Sequence, residues 1–140
     1  MELNRRSLFG TLASVLAAGG ALPAAEVQSV LLDSRQARLE RHPFGDLRVY
    51  FEGSTPGLKS LVAGSLLLKP GQQPHPPHTH PDEEIMVITE GSGQISLNGK
   101  TSNVVPGSVM YVTPNYLHGV LNTGQTPLMF YYVKWIAKSS

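Results

Sequence analysis

The sequence contains no cysteine. That excludes disulfides, thiolate metal ligands, iron–sulfur clusters and a cysteine nucleophile. Charge is also scarce: charged residues make up 15%, and eleven Lys+Arg against ten Asp+Glu leave a formal net charge of +1. With 7% aromatics besides, nothing in this balance supplies the electrostatic footprint that nucleic acid or an anionic membrane surface would require. Long apolar runs are missing too. The apolar stretch at residues 7–22 carries no charge but is short and diluted by Gly10, Gly19 and Gly20, which argues against a membrane span. At 140 residues the chain has room for one domain and one core.

What is present sets the class. Apolar residues reach 41%, which makes the chain globular, and 14 Gly with 11 Pro supply breakers at a density that suits short strands and tight turns better than long helices. The first 25 residues stand apart. Arg5-Arg6 precede the apolar stretch, and Leu22-Pro23-Ala24-Ala25 end it with small residues, the layout of a signal peptide. Asn4-Arg5-Arg6-Ser7-Leu8-Phe9 resembles the twin-arginine export signal, which implies a periplasmic or otherwise exported protein. Removing residues 1–24 takes away Glu2, Arg5 and Arg6, so that nine basic and nine acidic residues remain.

Residues 26–45 are expected to form an extension, a strand or a short helix. Asp33-Ser34-Arg35-Gln36 has the pattern of a helix cap carrying Leu39, with Arg35, Arg38 and Arg41 on one solvated stripe, until His42-Pro43-Phe44-Gly45 ends it. Residues 46–140 read as the main domain. β-rich runs at 47–51, 58–68, 85–89, 94–97, 108–113, 117–122 and 126–135 predict an all-β protein of about eight strands at the spacing of a sandwich or barrel. Asn98-Gly99 is a strong hairpin signal.

Four of the five histidines lie in or near two segments. The first is Gly71-Gln-Gln-Pro-His75-Pro-Pro-His78-Thr-His80-Pro-Asp-Glu-Glu84. Its prolines enforce extended backbone, so His78 and His80, two apart, point to one side. Two imidazoles with a carboxylate four residues on can hold one divalent metal, and His118 offers a further ligand. His75, between prolines, is expected at the surface; Asp82 and Glu83 are expected to decorate the turn.

These intervals resemble the cupin superfamily. His78-x-His80-x3-Glu84-x6-Gly91 reproduces the first cupin motif after its opening glycine, and Gly107-x10-His118-x3-Asn122 keeps the outer spacing of the second. Pro114 stands one place late, and Tyr116 stands near where the family has Gly. The resemblance spans roughly residues 60–136. It implies a double-stranded β-helix, a jelly-roll barrel, in which His78, His80, Glu84 and His118 bind one divalent transition metal, Fe or Mn in preference to Zn, Ni, Co or Cu. It also implies a homodimer, since edge strands of small cupins commonly pair between subunits. The last strand fits, with apolar side chains on both faces.

If Glu84 faces inward, alternation brings Met86 and Ile88 with it; Met110 or Tyr111, and Phe130 or Tyr132, are candidates for the same wall. The sequence places no Arg or Lys near the ligands, so an apolar or aromatic small molecule is expected over a strongly anionic one. Three readings stand: a dioxygenase, a Lewis-acid isomerase with Tyr116, Tyr132 or His75 as base, and a non-catalytic ligand- or metal-binding protein. The absence of a committed base favours the first.

Overall fold

The computed structural model describes residues 25–139; the expected export signal lies outside the described residues, apart from Ala25. Nine strands follow in order: β1 (Arg38–His42), β2 (Gly45–Gly53), β3 (Leu58–Leu68), β4 (Glu83–Glu90), β5 (Gly93–Leu97), β6 (Lys100–Val104), β7 (Val109–Val112), β8 (His118–Leu121) and β9 (Leu128–Ala137). They form a six-stranded sheet in the order β1-β2-β3-β9-β4-β7 and a three-stranded sheet in the order β6-β5-β8. All the pairings within the two sheets are antiparallel. No helix occurs among the described residues, so none is long and apolar enough to cross a membrane. The fold is all-β, as the breaker density and strand spacing predict.

The core lies between the two sheets. Leu66, Leu68, Met86, Ile88, Leu128 and Phe130 from the large sheet meet Ile95, Val104 and Val120 from the small one. Alternation is clean on β4, where Glu84, Met86 and Ile88 are buried and the residues between them are not. The poor alternation of residues 47–51 has a structural cause: the β2–β3 register shifts between Val49 and Phe51, a bulge that resets which side chains face in.

Two turns follow their residues. Asn98 and Gly99 take φ of 51° and 83°, the paired left-handed conformations of a tight hairpin turn, and they join β5 to β6. Gly91, the last glycine of the first motif, has φ 79°. A Cβ there would run into the Pro127 carbonyl, so the position admits only glycine without backbone movement.

The helix expected after Asp33 does not form. Gln36 N–H donates to Asp33 O at 3.1 Å and Asp33 N–H to Gln36 Oε1 at 2.9 Å, so the reciprocal cap closes a single turn. The chain then extends into β1, whose backbone pairs with β2 from Arg38↔Val49 to His42↔Gly45. The arginine stripe is divided accordingly: Arg35 pairs with Asp33 at 2.8 Å, whereas Arg38 bridges Glu40 and Glu52 at 3.0 and 3.2 Å. Tertiary pairing with β2 satisfies a full row of backbone groups, which one capped turn cannot match.

Candidate metal centre

The segment bearing the first histidines is strapped to β8. His78 and His118 exchange backbone hydrogen bonds of 2.9 and 3.0 Å, Gly71 N–H donates to Asn122 O at 2.8 Å, and Asn122 N–H donates to Gln72 O at 3.0 Å. Proline prevents this stretch from being a regular strand, so these four bonds hold it in place. Asn115 N–H donates to His80 O at 2.7 Å, tying the same segment to the β7–β8 turn. That turn lacks the family's glycine, and Asn115 takes the left-handed position instead, with φ 61°, a conformation Asn tolerates. Asn122 itself is fully buried. Its Nδ2 donates to Leu68 O and Thr126 O, both at 2.9 Å, and its Oδ1 accepts from Gly124 N–H at 2.9 Å. The second motif's asparagine is thus a backbone clamp.

These straps bring His78, His80 and His118 together, with one ligand atom of each within 4.8 Å of the others. Glu84 enters from β4, its Oε2 3.1 Å from His80 Nε2 and 2.9 Å from His118 Nε2. The far nitrogens are anchored as well: His80 Nδ1 donates to Asp82 O at 3.1 Å and His118 Nδ1 to Tyr116 O at 2.8 Å. Such backbone anchoring fixes the ring orientation and leaves Nε2 for an ion. Asp82 therefore positions the His80 ring through its carbonyl, while Glu83 turns outward and accepts from the Tyr111 hydroxyl at 2.6 Å.

The electrostatics suit a cation. Burial by itself raises the Glu84 carboxyl, but hydrogen bonds from His118 and His80 outweigh it and leave the pKa below its ordinary value. Burial, then the neighbouring His75, His118 and His80, push His78 down to about 4, so its ring is neutral and ready to ligate at neutral pH. The hydrogen bond to Glu84 raises His118 despite burial, so a proton and a metal ion would compete for that ring. Three imidazoles and a carboxylate, neutral or anionic and converging, fit a divalent transition metal.

A cavity of about 190 Å³ opens beside the cluster. Met86, Phe130 and Tyr132 line it with the three histidines and Glu84. The alternative between Phe130 and Tyr132 dissolves, because both face inward: β9 pairs Phe130 with Ile88 and Tyr132 with Met86. Ile88 and Met110 are packed in the core and do not line the cavity. Tyr111 is on the outer face, 49% exposed, since its register partner Ile85 alternates away from Glu84. Tyr116 is exposed and serves through its carbonyl.

Two polar residues at the cavity bear on its chemistry beyond the ligand cluster. His75, expected at the surface, is exposed yet stacks on His78 with ring centroids 3.7 Å apart and lines the mouth. Lys134 lines the cavity as well, directly opposite Glu84 in the β4–β9 register. The sequence alone carries no signal for it, because the side that Lys134 takes depends on the β4–β9 register.

Residues 64–134 match the family model described as a cupin domain. The chain belongs to the cupin family. Solved cupins share its fold at low identity. An RmlC-like cupin from Shewanella frigidimarina is 17% identical with a TM-score of 0.65, over 80% of this chain and 95% of that one. A conserved double-stranded β-helix protein from Klebsiella pneumoniae is 19% identical with a TM-score of 0.64, over 81% and 95%. A protein from Thermotoga maritima described as a predicted oxalate decarboxylase is 22% identical with a TM-score of 0.62, over 76% and 99%. No curated protein matches the chain.

Proposed function

We propose that this cupin is an exported, mononuclear metalloenzyme that acts on a small molecule, with dioxygenase chemistry as the leading reaction type. The observation that carries the reading is the convergence of His78, His80 and His118 with Glu84 on one side of a cavity that opens to solvent. A closed structural site would have no such cavity beside it. A divalent ion held there supplies Lewis acidity or, as iron, redox chemistry with dioxygen.

The chain's own residues do the rest. The Asp82 and Tyr116 carbonyls hold the His80 and His118 rings. Phe44, Leu66, Met86 and Phe130 form an apolar wall that excludes water from an organic substrate. A metal-dependent isomerase is the second reading, favoured by Tyr132. Its ring lines the cavity and burial holds its hydroxyl protonated, with a pKa of about 12, so it could donate a proton to a substrate oxygen. Export rests on Arg5-Arg6 and the apolar run after them, and a homodimer on the apolar outer face of β9.

The decisive experiment is elemental analysis of protein purified without chelators, beside a His80→Ala control, followed by oxygen uptake with phenolic and diketone substrates. About one equivalent of iron that the control lacks, with substrate-dependent uptake, is the expected result. Stoichiometric Mn, Zn or Ni without uptake would move the assignment to the isomerase. No metal, even after reconstitution, would leave a ligand-binding module.

A further inference from the structure

The inward face of β9 carries two polar groups that the metal centre does not use. Lys134 and Tyr132 lie two residues apart on one strand and both line the cavity, opposite Glu84 and Met86 respectively. Glu84 is the natural partner for Lys134 across the ladder, yet the two form no ion pair: the Glu84 Oε2 is engaged by His80 and His118. Among the described residues neither the Lys134 ammonium nor the Tyr132 hydroxyl makes a hydrogen bond or ion pair. An ammonium and a phenol left without partners beside a half-enclosed cavity form a donor pair awaiting an acceptor.

The remainder of the cavity is apolar, walled by Phe44, Leu47, Leu66, Met86, Val120 and Phe130. An apolar cavity of about 150 Å³ is enough for benzene, so about 190 Å³ accommodates a single ring with a short substituent. Among the described residues Lys134 is the one lysine or arginine that lines the cavity, so it supplies the positive charge that a carboxylate needs there.

We propose that Lys134 and Tyr132 form a carboxylate-binding pair, so that the cavity takes a small monocarboxylate with a single apolar or aromatic body. This rests on the cavity being the ligand site of the proposed function. It narrows the expected apolar or aromatic small molecule to one that carries a single carboxylate.

The test is calorimetric titration of the purified chain with benzoate and with benzamide, its neutral counterpart, with metal content measured on every sample. Benzoate is expected to bind about tenfold more tightly than benzamide, the worth of one charge-assisted hydrogen bond. Lys134→Met should remove most of that preference without changing benzamide binding or metal content; Lys134→Arg should retain it, and Tyr132→Phe should lose a smaller part. A preference undiminished in Lys134→Met, or no carboxylate preference in the wild type at millimolar ligand, overturns the proposal. A Lys134-dependent preference in protein that binds no metal upholds it while overturning the metal reading. A Lys134→Met chain that failed to fold would be replaced by Lys134→Gln, read in the same way.

Discussion

At the scale of the residue, Glu84 organises the centre. It is the carboxylate toward which two imidazoles turn, and its burial makes an unpaired charge there costly. Two histidines respond in opposite directions, which makes pH a test of the arrangement. In the metal-free chain, ring-proton titration by NMR should find His78 protonating near 4 and His118 above its ordinary 6.5. The signs for stability follow. A lowered His78 means that the unfolded chain binds more protons between 6.5 and 4, so this group destabilises the fold as pH falls through that window. A raised His118 contributes stability that is complete below 6.5 and lost as pH rises through its folded value. His78→Ala should therefore flatten the acid loss of stability in urea titrations at pH 4 and 6.5. Equal slopes for wild type and variant would contradict the placement of His78. An imidazole must shed its proton to ligate, so if His118 holds the ion, metal affinity should rise as pH rises through the raised His118 value.

At the scale of the element, the sequence makes some features plain and conceals others for identifiable reasons. The candidate ligands are legible because prolines force residues 74–81 out of any helix, and because intervals of two and four residues have fixed geometric meaning in extended chain. β3 and the Asn98-Gly99 hairpin are legible from local pattern alone. Pairing across the sheet is not. The parity of β9 depends on its register with β4, so sequence alone assigns Lys134 no side; of the alternatives Met110 and Tyr111 neither lines the cavity, Met110 being packed in the core and Tyr111 turned outward. β1 was obscured because its cap residues do form their hydrogen bonds, for one turn only.

Asn122 illustrates a motif residue whose role is tertiary. Asn122→Ala would strip partners from the Leu68 and Thr126 carbonyls and the Gly124 amide. The expected loss is about 3 kcal/mol in urea unfolding, with metal stoichiometry of the folded fraction unchanged. Metal loss without loss of stability would instead make Asn122 part of the centre. In the core, Ile88→Ala should cost about 3 kcal/mol, since Ile88 is 1% exposed, whereas Val109→Ala on the outer face should fall within about 0.5 kcal/mol of wild type.

At the scale of the whole molecule, the outer face of β9, β4 and β7 carries an apolar patch. Cross-strand pairing sets Tyr131 beside Val87, Val133 beside Ile85, Tyr111 beside Ile85 and Val109 beside Val87. Those six side chains make one continuous patch over three strands. Val109 is 65% exposed, Tyr111 49%, Tyr131 41% and Val133 36%, so the patch is open, and a contiguous open apolar face marks an interaction site. A second copy can cover it about a two-fold axis with the same surface on both sides. Light scattering at micromolar concentration should then give about twice the mass of one chain. Val133→Glu, which places two like charges across that axis, should return the monomer while leaving metal content intact, because Val133 faces away from the cavity that Tyr132 and Lys134 line. A wild-type mass at or below 15.1 kDa would reject the dimer. The address can be tested independently. Exchanging Arg5 and Arg6 for lysine keeps the charge of the leader and removes the paired guanidinium groups, so export should stop if the twin-arginine route carries the chain; undiminished export would reject that route. The route matters to the centre, because His78, His80, Glu84 and His118 form a donor set that several divalent metals satisfy. A chain exported already folded could acquire its ion before leaving the cytoplasm. The metal recovered from the exported protein should then match that of the Lys-Lys variant retained inside, and a different ion in the two would show that loading follows export.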